Sequence, residues 1–172
     1  MLDLLGAILI VTGSIGFGYL YMEKERKRIE ILERISYIFK LLKSEITYKK
    51  QPLPCACKVS GEKIADKEGR VLLKIADTME SGEGIGFAEI WRDSWQEYLK
   101  ASCLSEEERS RVLDFASFVG YDEEALQENM MEHQCREFTL LAGKVREELE
   151  KKKRVVLTLG ACLGILFVLI LL

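Results

Sequence analysis

From Leu4 to Met22 the chain carries no charged residue, and from Glu23 to Gln51 it contains neither glycine nor proline to stop a helix already under way. At the rise of an α-helix the uncharged run reaches about 28 Å, close to the thickness of a bilayer's hydrocarbon core. Beyond Glu23 and Arg28 the apolar residues Ile31, Leu32, Ile35, Ile38, Phe39, Leu42 and Ile46 keep the three-four spacing of one helical face. Only Pro52-Leu53-Pro54 forces a break, since each proline removes an N–H and drives its predecessor out of the α region. The pattern predicts one long helix over 1–54 that begins in a membrane and ends in water at the proline pair.

Val155 to Leu172 forms a second uncharged run, eighteen residues long and at the short limit for a span. Basic residues flank both runs on the inner side: Lys24, Arg26, Lys27 and Arg28 follow the first, and Lys151, Lys152, Lys153 and Arg154 precede the second. The positive-inside rule then predicts transmembrane helices at 1–22 and 155–172, a cytoplasmic domain over 23–154 and outward termini. Recruitment of anionic lipid is the other reading of these flanks, and fixing topology is the commoner role. Asp3 stands where a signal peptide has its basic region, and no small-x-small site precedes the charges, so an uncleaved anchor is expected. Gly160 and Gly164, and Ser14 and Gly18 in the first run, are spaced for close helix packing against the other anchor or another protein.

The middle shows helical periods and no clean strand alternation, which predicts an all-α class: an antiparallel bundle of about six helices, the first and last continuous with the membrane segments. Short helices are expected over 53–68, weakened by Gly61, and over 70–79, with Val71, Leu72, Ile75 and Met79 on one side. Residues 81–86, with three glycines, read as a loop and hinge. Phe87, Ile90, Trp91, Trp95, Tyr98 and Leu99 then form a wide aromatic face, expected in the core. Ser105 and Glu108 have capping-box spacing, opening a helix that carries Val112, Phe115, Ala116 and Val119 inward and stops at Gly120. From Asp122 a last helix carries Met131, Cys135, Phe138, Ala142, Val145 and Leu149 as a heptad-like seam.

Little here points to chemistry. The 25 basic and 28 acidic residues give a net charge of −3, no field for nucleic acid. His133 and Cys135 stand two apart and so point to different sides of a helix, while Cys55-Ala56-Cys57 is too tight for a zinc pair and lacks a second pair. The five cysteines fit a reducing compartment better than a disulfide scaffold. Gly82, Gly84 and Gly86 follow no strand and lack the Lys-Ser or Lys-Thr of a phosphate loop. No cofactor, metal or catalytic residue is expected.

At Ser44-Glu45-Ile46-Thr47-Tyr48, followed by Pro52-Leu53-Pro54, the sequence resembles the stage III sporulation protein AB family of endospore-forming bacteria. The likeness runs along essentially the whole chain, from an N-terminal anchor leading into a helix, through the Gly-containing turn and aromatic helix, to a short terminal anchor. The chain departs at Cys55-Ala56-Cys57, where the family has Glu-Ala and an apolar residue.

The resemblance implies an all-helical cytosolic domain similar to the inner-membrane platform proteins of type II secretion and type IV pilus machines. It implies a place in the mother-cell membrane, in the channel complex to the engulfed forespore, required for endospore formation. Its partners would be a cytoplasmic hexameric secretion-type ATPase, the AA member of the same operon, and other proteins of that operon. The corner of Glu45, Tyr48, Pro52, Leu53 and Pro54 is the expected partner interface: Glu45 for a basic group, Tyr48 for ring area and a hydroxyl, the prolines for geometry. The same corner would serve equally to lock the first helix onto the second. A rival reading is an ATPase-independent structural tether, a homo-oligomer joined through its anchors and last helix. A cysteine-nucleophile enzyme is the remotest, since no second histidine or fixed base accompanies any cysteine.

Overall fold

The computed structural model describes the backbone of residues 2–82, 84–119 and 124–171, and the side chains of residues 20–82, 84–119 and 127–155. Six α-helices and no strand occur among the described residues: α1 (Leu2–Lys43), α2 (Leu53–Ile64), α3 (Lys67–Glu80), α4 (Phe87–Ala101), α5 (Glu106–Asp114) and α6 (Glu124–Leu171). The all-α class is as expected. The chain divides into two compact units, Met1–Ile29 with Gly143–Leu172, and Glu30–Ala142. Among the described residues no helix is long and apolar enough to cross a membrane. The expected spans at 1–22 and 155–172 fall, apart from Leu20, Tyr21, Met22 and Val155, on residues whose side chains are outside the described set, as are Ser14, Gly18, Gly160 and Gly164.

Within Glu30–Ala142 the core is built around Phe39. Its ring stacks on Phe115 with centroids 3.9 Å apart, meets Phe138 edge-on at 4.9 Å and lies 6.3 Å from Trp91. Three distant stretches of chain thus converge on one ring, by one stacked, one edge-on and one tilted contact. Leu32, Ile35, Ile38 and Leu42 extend the buried stripe of α1, while Ile90, Trp91, Trp95 and Leu99 supply α4's. Ile90, Trp91, Trp95 and Leu99 of the predicted aromatic face are core, while Phe87 and Tyr98 are half-buried at its edge. Met131, Cys135, Phe138 and Ala142 of the expected seam are also buried.

Several boundaries differ from those predicted. The first helix does not reach the prolines: it loosens into a π turn at Ser44–Tyr48, where Lys49 N–H bonds to Ser44 O at 3.2 Å. Gln51 N–H then reaches Glu45 O at 3.0 Å, and Lys50 takes a left-handed φ of 51°. Unravelling one turn early puts Glu45 at full burial, whereas Ile31 and Ile46 of the predicted apolar face are only half-buried.

The break expected at about Glu68 falls instead at Ala65, which closes α2 in the left-handed region (φ 54°) with its N–H on Gly61 O at 3.2 Å. Glu68 consequently lies in the first turn of α3 and is buried. Gly61 is a contact rather than a weakness. A Cβ there would stand 2.8 Å from the carbonyl oxygen of Gly69, and one at Gly69 would stand 2.7 Å from that of Gly61, so the two glycines let α2 and α3 touch backbone to backbone.

Gly82 and Gly84 both take φ of +72°, as a loop there requires. The capping box at Ser105 and Glu108 is complete: Glu108 N–H donates to Ser105 Oγ at 3.3 Å and Ser105 N–H to Glu108 Oε2 at 2.7 Å. α5 gives way to a 3-10 turn at Phe115–Phe118, and the stop predicted at Gly120 and start at Asp122 lie outside the described residues.

Candidate functional site

The corner after α1 separates its residues by depth. Tyr48 is 68% exposed, Pro52 is exposed, Leu53 and Pro54 are half-buried, and Glu45 is wholly buried. Lys49, one turn on, and Lys63, from the last turn of α2, both donate to Glu45 Oε1 at 2.8 Å. Those two charge-assisted bonds hold the Glu45 carboxyl below its ordinary pKa, against the opposing effect of burial. The second oxygen, Oε2, is buried without a hydrogen-bond partner.

Glu45 was expected to offer its charge to a basic partner. The structure gives that charge to two lysines of its own chain, one of them on α2. Glu45 is thus turned inward, pinning α2 to the turn, while the Tyr48 ring is exposed.

Beside Tyr48 a groove of about 440 Å³ runs between α1 and α6, lined by Lys40, Lys43, Tyr48, Glu132, Cys135, Arg136 and Thr139. Its walls are set by an antiparallel register. Lys43 is ion-paired with Glu132, and seven residues back along α1 Ser36 shares a 2.9 Å hydrogen bond with Thr139, seven residues on along α6. Thr139 donates its own proton to Cys135 O at 2.8 Å, so Ser36 is the donor to Thr139. Seven residues are close to two helical turns on both helices, which keeps both pairs on the facing sides.

Charge in this groove is unbalanced. Glu132 is held below the usual carboxylate range by its bond to Lys43 first, with Arg136 and Lys40 adding to the effect. The same bond raises Lys43, to which Tyr48 and Glu128 also contribute. Lys43 Nζ lies 5.7 Å from the centroid of the Tyr48 ring, a cation over an aromatic face.

A second buried carboxylate was not foreseen. Glu68 accepts from Arg34 Nη1 on Oε2 at 3.2 Å and from the Tyr98 hydroxyl on Oε1, and Arg34 also meets Asp66 at 2.9 Å and Glu30 at 3.2 Å. Burial first, and then the bond to Glu68, push the Tyr98 hydroxyl well above its usual pKa, so it stays a donor. This cluster ties α1, α3 and α4 together around a buried Glu68, with Glu30 and Asp66 on its exposed rim. Only the phase of Glu68 in α3 would have signalled it, and the misplaced helix boundary conceals that phase.

The basic flanks are exposed apart from Arg28, which is half-buried. Arg26 and Lys27 lie 3.9 and 3.8 Å from Glu23, Arg28 pairs with Glu25 at 3.2 Å, Lys151 pairs with Glu147 at 2.7 Å and Lys152 donates to the Tyr21 hydroxyl at 2.8 Å. No group of three metal-ligating side chains occurs among the described residues. Cys55, Cys57, Cys103 and Cys135 are free thiols; burial pushes Cys57 up to about 12 and Cys135 up to about 11, the reverse of what a nucleophile needs. His133 is exposed while Cys135 is buried, on different sides of α6.

A family model described as Stage III sporulation protein AB matches residues 3–172. A solved structure titled "Stage III sporulation protein AB (SpoIIIAB)" is similar in fold, with a TM-score of 0.65 at 14% identity over 72% of this chain and 97% of that one. No curated protein matches the chain.

Proposed function

The chain belongs to the stage III sporulation protein AB family and has a role in sporulation, and from that premise we propose that it is a non-enzymatic membrane platform. It would sit in the mother-cell membrane through 1–22 and 155–172, hold residues 23–154 in the cytoplasm, and link a hexameric secretion-type ATPase to the channel complex needed for endospore formation. The observation that carries the docking part of this reading is the corner itself. A tyrosine 68% exposed stands on a turn whose neighbouring carboxylate is fully buried and held from two sides. An exposed ring on a fixed turn loses little entropy when a partner covers it, which suits an interface anchor.

The raised pKa of the buried Cys57 and Cys135 thiols weighs against a role for either as a nucleophile. The tether reading loses part of its contact surface, because Met131, Cys135, Phe138 and Ala142 of the last helix are buried within this chain's own core.

The test is binding of the full chain, reconstituted in lipid nanodiscs, to the operon's AA-type ATPase with and without nucleotide, for the parent and Tyr48→Ala. Saturable binding that Tyr48→Ala weakens at least about tenfold, at unchanged helicity, supports the platform. Absence of binding by a folded chain turns the reading to the tether.

A further inference from the structure

Two neighbouring clusters at this corner each hold more cations than carboxylates. In the groove, Lys40, Lys43 and Arg136 surround Glu132, with Glu128 acting on Lys43 from further off; behind Tyr48, Lys49 and Lys63 share the single carboxylate of Glu45. The chain as a whole carries a net charge of −3, so the surplus is local. Lys49 and Lys63 keep 51% and 44% of their side-chain surface exposed, and Lys40 and Arg136 are exposed, so these cations face solvent while their carboxylates are occupied. The exposed Tyr48 and Thr139 and the buried Cys135 add apolar surface among the charges.

We infer that this groove seats an acidic polypeptide segment of a partner protein, with its carboxylates on Lys40 and Arg136 and an apolar side chain against the Tyr48 ring. The inference deepens the platform reading and rests on it for the existence of a docking partner. A polypeptide fits better than a polyanion such as nucleic acid. The positive patch is short, it is interrupted by Glu132, and it lies on an acidic chain that repels extended negative charge. Carboxylates brought to Lys40 and Arg136 would use cations left over once Glu132 has taken Lys43, and charge complementarity of this kind sets partner choice and encounter rate.

The experiment places a benzophenone amino acid at position 48 of the full chain in sporulating cells, and sequences whatever it captures on irradiation. A covalent product with an acidic stretch of another protein is expected, and the double reversal Lys40→Glu with Arg136→Glu should cut its yield at least about tenfold while Lys40→Arg with Arg136→Lys retains it. Capture of a neutral or basic stretch, of nucleic acid, of lipid or of a second copy of this chain overturns the inference, as does no capture or insensitivity to charge reversal. An acidic stretch from a protein other than the ATPase would sink ATPase docking and leave the inference standing. A neutral stretch from the ATPase would do the opposite.

Discussion

Lys63 Nζ, on α2, donates to Glu45 Oε1 at 2.8 Å across the turn that ends the first helix, and this bond explains why the chain reverses where it does. Two prolines two residues apart prevent the helix from continuing, but they do not choose the direction of the next one. A buried carboxylate sharing one oxygen between a lysine of its own turn and a lysine of α2 does choose it. Removing Glu45 leaves both lysines without their shared counter-charge, and removing either lysine takes away one of the two bonds that hold a buried carboxylate.

Glu45→Gln is therefore expected to destabilise the fold by about 1–3 kcal/mol near neutral pH, at the lower end because both lysines are half-exposed and screened. The Glu45 carboxyl titrates below its unfolded value, so its contribution is fully present above the unfolded carboxylate pKa of about 4.3 and is lost as pH falls through the lower folded value. Chemical denaturation from pH 7 downward should show the parent and variant converging in acid. Glu132 is depressed in the same sense by Lys43, so the variant keeps some acid sensitivity. Curves that stay parallel to the lowest accessible pH would contradict the assignment.

Periodicity made the core legible because an apolar stripe reports its own burial whatever it packs against. Phe39, Trp91, Phe115 and Phe138 could each be assigned inward from neighbours three and four residues away. The candidate site was legible only in part. Tyr48 and the prolines stand out as a motif, but the inward turn of Glu45 depends on a π turn and on Lys63, eighteen residues away. Lys40, Lys43, Glu132 and Arg136 carry no local signal, since nothing in the sequence reveals that antiparallel pairing of α1 and α6 brings 43 opposite 132. Glu68 was hidden for a different reason: Ala65, not a glycine, adopts the left-handed stop.

The two tryptophans of α4 offer a controlled comparison, since both are fully buried and only one is satisfied. Trp91 Nε1–H donates to Val112 O at 2.9 Å, one of the last carbonyls of α5 and so short of helical partners; Trp95 Nε1 has no partner. Substitution by phenylalanine removes similar volume at both sites, but at Trp91 it also strips a buried acceptor. Trp91→Phe should cost about 1–2 kcal/mol more than Trp95→Phe in urea denaturation. Equal losses would mean that the Val112 bond contributes nothing net.

Thiol chemistry distinguishes a structural protein from a nucleophile. Burial pushes Cys57 up to about 12 and so strongly depletes its thiolate near neutral pH, and Cys135 is suppressed for the same reason. In a Cys162→Ala background at pH 7.5, maleimide should modify exposed Cys55 at least about a hundredfold faster than Cys57 or Cys135, with mass spectrometry assigning the sites. Fast labelling of Cys57 in the folded protein would reopen the catalytic reading.

Gly61 and Gly143 occupy helix interiors with opposite surroundings, which predicts opposite signs for one substitution. Alanine is the better helix former by about 0.8–1 kcal/mol, so where a Cβ has room it should stabilise. At Gly143 nothing lies within 4 Å of that Cβ, and Gly143→Ala should raise stability by about 0.5–1 kcal/mol. At Gly61 the Cβ would meet a backbone oxygen at 2.8 Å, which cannot swing aside as a side chain would, so α2 and α3 must part. Overpacking of this kind costs about 1–3 kcal/mol and should outweigh the propensity gain. α2 also carries Lys63, so spreading the pair would pull that lysine from Glu45 and loosen the turn under Tyr48. Gly61→Ala is accordingly expected to lower the midpoint of thermal unfolding and to raise amide exchange in Ser44–Tyr48, remote in sequence from the substitution. A lower midpoint with unchanged exchange at that turn would separate the α2–α3 contact from the corner it is argued to support.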